Sequence, residues 1–129
     1  MFDINKIILS IPDLLSSKGA SNDEIYLAER KLSLKFSEDY KQYIRQFGII
    51  AYDGHELTGI AENSRLNVIN ITKEEKRKNM SVPDDFYVIE VANIDGIIIW
   101  QKSSGEIYKT IHGGPPMLMC KSLSDYIKL

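Results

Sequence analysis

The chain has few of the residues that build disulfide-linked, metal-bound or membrane-spanning proteins. Its 129 residues include one cysteine and two histidines. A single cysteine cannot form an intramolecular disulfide, and we expect Cys120, in an apolar segment, to be buried as a small hydrophobic residue. The apolar run at residues 7–9 is broken by Pro12, and no run approaches the roughly 20 residues of a membrane-spanning helix. We therefore expect no signal peptide, no membrane contact and a cytoplasmic protein.

The motifs of the commonest enzymes and metal proteins are also absent. There is no Gly-x-Ser-x-Gly elbow, Walker loop, Gly-x-Gly-x-x-Gly, Cys-x-x-Cys or His-Glu-x-x-His. The segment His112-Gly113-Gly114 resembles an esterase oxyanion loop, but without a nucleophile elbow a turn is the simpler interpretation. His55, beside Asp53 and Glu56, could bind a metal together with His112, although ordinary surface and loop positions are simpler. We predict no catalytic residues, no metal and no cofactor, which favours a binding module over an enzyme.

The charge is close to balanced, with a formal net charge of −2. This argues against direct nucleic-acid binding, which requires a clustered basic surface. The basic run at residues 73–78 is interrupted by Glu74 and Glu75, as is typical of a solvated helix face. An apolar fraction of 43% and a charged fraction of 26% are those of an ordinary globular protein. We predict a single domain over residues 1–129.

Helices are predicted from apolar stripes at i, i+3 and i+4 that follow capping residues. The segments with this pattern are 4–11, 21–32, 37–47 and 122–129. Asp3 can cap the first segment, and residues 21–24 have the capping-box sequence. Ser37 can cap the third segment, and Gly48 can end it in a left-handed conformation.

Strands are predicted between turn signals in the second half of the chain. Asp95-Gly96 can supply the positive φ angles of a tight hairpin, and Gly105 can do so in a longer loop, so residues 86–111 are predicted to form an antiparallel meander. Residues 97–100 are apolar on both faces, which favours a central strand. Further strands are predicted near residues 49–52, 56–60 and 66–71, with a capping box at 72–75 opening a charged helix. The predicted fold class is α+β, with a single antiparallel sheet, a pair of N-terminal helices packed on it and a short C-terminal helix.

Aromatic and acidic side chains near the predicted loops are candidates for partner binding. Tyr52 and Tyr108 have acidic neighbours, the composition of surfaces in which aromatic anchors lie among charges. Two carboxylate pairs, Asp53 with Glu56 and Asp84 with Asp85, could instead serve acid–base catalysis, which requires an apolar pocket that separates their pKa values. Their loop positions beside Gly54 and Pro83 favour solvated side chains. Trp100 is predicted to be a core residue. The predicted partner-binding residues are Tyr52, Asp53, Glu56, Asp84 and Asp85.

The order of several short motifs resembles the SUKH superfamily, whose best-known branch is the fungal Smi/Knr cell-wall regulator. The motifs are Ser21-x-x-Glu24-Ile25, residues 28–32, residues 36–44, Phe47-Gly48, Leu57-x-Gly59-Ile60, Asp95-Gly96, residues 105–108 and residues 122–127. The family commonly has Leu-Pro where this chain has Phe36-Ser37, and a serine cap preserves the helix start. The resemblance implies an α+β domain without catalytic residues. It also implies that the residues of these motifs maintain the fold and do not form the toxin-binding site.

The same resemblance implies a function. Bacterial members of this size are chiefly immunity proteins, which bind the toxin domain of a polymorphic or contact-delivered toxin, often a nuclease, and so protect the producing cell. The predicted partner is thus a cognate toxin domain, neutralised by stoichiometric binding. Two alternatives remain at this point: a regulatory scaffold like the fungal branch, and a hydrolase that uses His55 or His112.

Overall fold

The computed structural model describes residues 3–92 and 94–129 and has the predicted α+β class. The elements in chain order are α1 (Ile4–Leu9), β1 (Leu15–Ser16), α2 (Asn22–Leu32), α3 (Glu38–Phe47), β2 (Ile50–Tyr52), β3 (His55–Leu57), α4 (Val68–Lys78), β4 (Tyr87–Val91), β5 (Ile97–Gln101), β6 (Ile107–Ile111), β7 (Met117–Cys120) and α5 (Leu123–Ile127). All strand pairings within the two sheets are antiparallel. Among the described residues, none of the helices combines the length and apolar character required to cross a membrane.

The prediction of a single sheet is wrong, because the strands form two sheets. One has the order β1-β2-β3 and the other β4-β5-β6-β7. The sheets meet at a seam between β3 and β4, where the Thr58 N–H donates to the Ile89 carbonyl at 2.9 Å. Beyond this bond the Glu90 side chain, rather than a backbone carbonyl, accepts the Glu56 N–H at 3.1 Å. A side chain thus replaces the ladder that would have joined the sheets.

The predicted strand at residues 66–71 is also wrong, since helix α4 begins at Val68. The Asn67 side chain caps this helix by accepting hydrogen bonds from the backbone N–H groups of Ile69 and Asn70. Thr72 therefore lies inside the helix and does not open it. It is fully buried, and its Oγ1 accepts the Val88 N–H at 3.0 Å. The apolar residues of this segment suit a strand or a helix, and the Asn67 cap favours the helix.

The predicted caps of α1 and α2 are confirmed. The Asp3 carboxylate accepts the Asn5 N–H at 3.0 Å, and both bonds of the capping box at residues 21–24 are present. Gly48 ends α3 as predicted, with φ of 73° and ψ of −72°, so its φ is positive but its conformation is not that of the left-handed helix. Ser37 occupies the N-cap position of α3, but the prediction that its side chain caps the helix is wrong. Its hydroxyl makes no bond to the helix backbone.

Asp39, in the first turn of α3, makes the contacts that fix this part of the fold. Its Oδ1 accepts from the Ser37 hydroxyl at 2.6 Å and from Gln101 Nε2 at 3.1 Å. Its Oδ2 accepts the Leu123 N–H at 2.8 Å. Gln101 lies on β5 and Leu123 begins α5. One carboxylate therefore ties a helix, a strand and a second helix together.

The core lies on both faces of the four-stranded sheet. Tyr87, Ile89 and Ile107 join the larger cluster together with buried residues of α1, α2, α3 and α5. Trp100 is fully buried in a smaller cluster that includes Ile71 of α4, which confirms its predicted core position. Strand β5 is internal in its sheet, as predicted. The Asp95-Gly96 turn before it is also confirmed, with φ of 54° and 61°, while Cys120 is only half-buried.

Two glycines meet where the end of α3 passes the segment after β3. A Cβ atom at Gly59 would lie 1.7 Å from the Gly48 carbonyl oxygen. Two backbone hydrogen bonds, each of 2.9 Å, hold Gly59 in place. The Gly59 N–H donates to the Leu66 carbonyl, and the Gly59 carbonyl accepts the Val68 N–H. The motifs Phe47-Gly48 and Leu57-x-Gly59 therefore meet in space: the missing side chain of Gly59 admits the Gly48 carbonyl, and the missing side chain of Gly48 admits the Lys18 carbonyl.

Three tyrosine hydroxyls in the core predict a steep loss of stability at alkaline pH. Tyr40, Tyr43 and Tyr87 are fully buried, and burial raises the pKa of each phenol above its ordinary value. The unfolded chain releases these protons near pH 10 while the folded chain keeps them, so the unfolded state binds fewer protons and stability falls as the pH rises. We expect stability to be level below about pH 10 and to decline above it.

The measurement is a titration from pH 8 to 12.5, following tyrosinate absorbance and far-ultraviolet circular dichroism together. The absorbance of the buried phenols is expected to rise in the same cooperative step as the loss of helix signal. In 8 M urea the absorbance should instead rise gradually. Full ionisation of all tyrosines with an unchanged circular dichroism spectrum would contradict the prediction.

Candidate functional site

A tight turn between β2 and β3 carries the first residues of the candidate site. Asp53 and Gly54 form the turn with φ of 46° and 81°, the left-handed conformations that two-residue hairpin loops require. The flanking residues Tyr52 and His55 pair across the strands, and their rings stack at a centroid distance of 5.1 Å. The hairpin therefore holds two stacked rings next to an exposed carboxylate.

A buried carboxylate, Glu90, contacts His55 from the neighbouring sheet. Glu90 is 4% exposed, and each of its oxygens lies 3.1 Å from His55 Nδ1. An ionised carboxylate only accepts, so the tautomer of His55 that carries its proton on Nδ1 is the one that can donate to Glu90. Oε2 also accepts the Glu56 N–H, and the Tyr126 hydroxyl donates to Oε1. These donors offset the cost of burying the charge.

A β-bulge in β4 turns Glu90 toward His55. The register between β4 and β5 shifts between Val88 and Glu90, which leaves Ile89 as the extra residue. Val88 and Val91 pack with the smaller core cluster, whereas Ile89 lies in the larger one and Glu90 bonds Tyr126 of that same cluster. Strict alternation would have placed Glu90 on the face of Val88. The bulge reverses this, as bulges often do near functional sites.

The phenols beside Glu90 stay neutral over a wide pH range. Burial, followed by the hydrogen bond to Glu90 and its charge, raises the pKa of Tyr126. Burial also raises the pKa of Tyr52 to about 12, with smaller contributions from the charges of Glu90 and Asp53. Both groups are therefore hydrogen-bond donors at neutral pH, in a region of negative potential.

Two hollows meet at His55. The larger, which we name the hairpin groove, has a volume of about 420 Å³. Its lining includes Ile11, Asp13, Tyr52, Asp53, His55 and Leu129. The smaller has a volume of about 190 Å³, and its lining includes His55, Glu56, Glu90, Ile94 and Tyr126. Within residues 3–92 and 94–129, no lysine or arginine lines either hollow.

The structure brings Tyr52, Asp53 and Glu56 together at this hairpin. Asp53 is exposed and Tyr52 is half-buried. Glu56 was expected to be free at the surface, but it forms a bidentate pair with Arg65, at 2.8 and 3.2 Å. The hydrogen bonds from Arg65 lower the pKa of Glu56. Of these three residues, Asp53 has the carboxylate most available to a partner.

Asp84 and Asp85 lie elsewhere, in the loop before β4. Both are exposed, and neither lines the hairpin groove or the smaller hollow. Lys76 donates to the Asp84 carbonyl at 2.6 Å. Burial lowers the pKa of Lys76, and the charges of the two aspartates partly offset this. This acidic pair therefore faces a cation of its own chain, which makes it a weaker candidate for binding a basic partner.

The two histidines are not brought together. His112 lines a different hollow of about 440 Å³ that also contacts Trp100, and its Nδ1 would lie 2.6 Å from a Cβ at Gly96. The part of the chain that the structure describes has no group of three or more His, Cys, Asp or Glu side chains placed to hold a metal. The alternative of a metal shared by His55 and His112 therefore has no support among the described residues.

A wider hollow of about 620 Å³ lies near the start of α2. Its lining includes Lys18, Glu24 and Glu62. All three are exposed, so this hollow has no counterpart of the buried carboxylate behind His55. We therefore place the candidate site at the hairpin.

Glu90 and Tyr126 were not among the predicted site residues. Strict alternation along β4 would point Glu90 outward, and only the bulge places it inside. Tyr126 lies in the predicted helical segment 122–129 and is buried, but its hydroxyl partner is distant in sequence. One signal was present: Glu90 is the only charged residue in an otherwise apolar strand.

Comparison with known proteins gives a match over most of the chain. A family model named SUKH_6 and described as SMI1-KNR4 cell-wall matches residues 22–127. The matched span runs from the first turn of α2 to the end of α5, so it includes the hairpin, Glu90 and Tyr126. No curated protein matches the chain.

Proposed function

Because this chain belongs to the SMI1-KNR4 family of the SUKH superfamily, we propose that it is a bacterial immunity protein. In this proposal it acts in the cytoplasm, binds a cognate toxin domain and neutralises it by stoichiometric occupation, without chemistry of its own. The observation that carries the proposal is the family match over residues 22–127. The resemblance found in the sequence implied the same function.

The hairpin is the contact surface that we propose for the toxin. Tyr52 supplies an aromatic anchor, the type of residue that contributes most binding energy at interfaces. Asp53 and Glu56 supply negative charge, which speeds association with a basic partner. An interface of about 800 Å² on each side is sufficient for a stable complex. Asp84 and Asp85 are the second choice, because Lys76 faces them.

Co-expression tests the proposal. If a neighbouring gene encodes a candidate toxin domain, that domain is expressed from an inducible promoter and this protein from a second one. We expect growth to be restored when the two proteins are present in about equal amounts, and the two to co-purify as a complex. Rescue at far below one molecule of this protein per toxin would contradict stoichiometric occupation.

A charge-neutral hairpin tests the contact surface. We expect Asp53→Asn with Glu56→Gln to slow association with a basic toxin roughly tenfold at low salt, because two steering charges are lost and Arg65 is left unpaired. Asparagine is chosen since it tolerates the left-handed conformation of residue 53, whereas lysine would strain it. Stopped-flow association rates at several salt concentrations measure the effect.

The matched control for that variant is Asp84→Asn with Asp85→Asn. It removes the same number of charges from a different loop. At physiological salt, where the Debye length is about 8 Å, we expect its association rate to stay within about twofold of the parent, since charges distant from the contact are screened. If this control slows association as much as the hairpin variant does, the contact surface is not the hairpin.

A regulatory scaffold is the second candidate function, and the family description, with its reference to the cell wall, favours it. Such a protein would bind an endogenous partner and would not protect against a toxin. Affinity purification from the native cell distinguishes the two. A toxin domain among the bound proteins supports immunity, whereas a chromosomally encoded enzyme or regulator without toxicity supports the scaffold.

A further inference from the structure

We propose that the hairpin groove receives an arginine side chain of the protein partner. This inference rests on the proposed function and adds the chemistry of the contact. The groove has a volume of about 420 Å³, within the range of roughly 300–1,000 Å³ that ligand clefts occupy. Its lining combines carboxylates, stacked rings and apolar side chains, and each matches one part of an arginine.

The carboxylates match the charge. Asp13 and Asp53 both line the groove and are exposed. Among the described residues, neither carboxylate is engaged in a hydrogen bond or ion pair. The nearby Glu56 differs, since Arg65 already binds it at 2.8 Å. The groove therefore has two uncompensated negative charges, and a positively charged group would be attracted to it.

The rings match the planar head group. Tyr52 and His55 both line the groove, and their rings stack with an interplanar angle of 27°. The hydrogen bond from His55 Nδ1 to Glu90 fixes the orientation of the His55 ring. A guanidinium stacks on aromatic faces and is weakly hydrated, whereas an ammonium is compact and strongly hydrated. A fixed pair of rings therefore favours arginine over lysine.

The apolar wall matches the stem of the side chain. Ile11, Ile127 and Leu129 also line the groove. Leu129 is 78% exposed, so a partner would cover apolar surface that is now in water. The methylene stem of arginine packs on such surface while its head group remains at the charges. The groove thus fits the whole side chain and not only its charge.

The test uses the purified protein and a small probe, so it does not depend on the toxin. N-acetyl-arginine methylamide is titrated while the ring signals of Tyr52 and His55 are followed by NMR. We expect saturable shifts with a dissociation constant on the order of millimolar. The citrulline analogue has nearly the same shape as arginine but no charge. The lysine analogue has the positive charge but lacks the planar guanidinium group. We expect both to bind at least about fivefold more weakly.

Two variants locate the binding. Asp13→Asn with Asp53→Asn is expected to weaken arginine binding about fivefold or more, because both charges are lost. Both positions have positive φ, of 56° and 46°, and asparagine keeps that backbone conformation. Asp23→Asn with Glu62→Gln is the matched control, because both residues are exposed and neither lines the groove, and it should leave binding unchanged. Equal binding of citrulline, equal binding of lysine, no saturable shift, or unchanged binding in the groove variant would each overturn the inference.

The outcome is separable from that of the proposed function. If arginine binds in the groove but co-expression gives no protection, the groove chemistry holds and the partner is not a toxin. If the protein protects cells but arginine does not bind, the toxin uses another surface and this inference is wrong.

Discussion

Replacing Gly59 with alanine is expected to prevent stable folding. The new Cβ would lie 1.7 Å from the Gly48 carbonyl oxygen, and Ile44 Cγ2 would be 3.2 Å away. The segment cannot move aside easily, because both backbone groups of Gly59 are bonded, to Leu66 and Val68. Steric clashes with fixed backbone belong to the most destabilising class of substitution, so we expect a loss of about 4 kcal/mol or more. Urea unfolding, or failure to obtain soluble protein, measures it.

Gly54→Ala is the matched control. Gly54 also has a positive φ, 81°, but a Cβ there would meet nothing within 4 Å. Its cost is therefore only that of a left-handed alanine, about 1 kcal/mol. If the two variants are equally stable, the close contact between Gly48 and Gly59 does not constrain the fold.

Asp39→Ala is expected to produce the second large loss of stability. The substitution leaves the Leu123 N–H and one of the two Nε2 hydrogens of Gln101 without an acceptor, while the other Gln101 hydrogen still bonds the Gly105 carbonyl at 2.9 Å. Gln101 is fully buried. Each buried donor left unsatisfied costs about 1–3 kcal/mol, so we expect a loss of about 2–4 kcal/mol. Chemical unfolding gives the free energy. Because Leu123 begins α5, amide exchange in α5 should also accelerate.

Glu38→Ala separates this effect from a general loss of negative charge in α3. Glu38 precedes Asp39 in the same helical turn, but its side chain is 79% exposed and pairs with Lys41 at 2.8 Å. Exposed pairs of this kind contribute about 0.2–1 kcal/mol. A loss for Glu38→Ala as large as that for Asp39→Ala would show that helix charge, not the three hydrogen bonds of Asp39, explains the result.

The elements that could be predicted from the sequence are those with local signals. The bonds of Asp3 and of the capping box at residues 21–24 involve neighbours in sequence, as do the positive φ angles of Asp95-Gly96. Residues 66–71 were mispredicted because an apolar run without charges fits two periodicities. The division into two sheets was missed because it depends on a bulge, which depends in turn on contacts between distant segments.

The candidate site shows the same limit. The hairpin residues Tyr52, Asp53 and Glu56 were identified from composition, and the structure places them together. The buried part of the site joins Glu90 to Tyr126 and His55, which are 36 and 35 positions away in sequence. No local pattern encodes such a contact. The pairing of Glu56 with Arg65 was likewise not visible, although it determines which carboxylate is available to a partner.

The seam between the two sheets is a boundary between two hydrogen-bonded units that share one hydrophobic core. Strands β1–β3 are joined to β4–β7 at this boundary by the Thr58 N–H, by the Thr58 hydroxyl, which donates to the Val88 carbonyl at 2.7 Å, and by the Glu90 side chain. A side-chain link of this kind can break without disrupting the hydrogen-bonded ladder on either side, so local opening needs less energy here than within a sheet. A partner seated at His55 would contact residues from both units. Its binding would then stabilise the closed arrangement of the two sheets. The free energy of association would depend in part on how often the unbound protein opens at the seam.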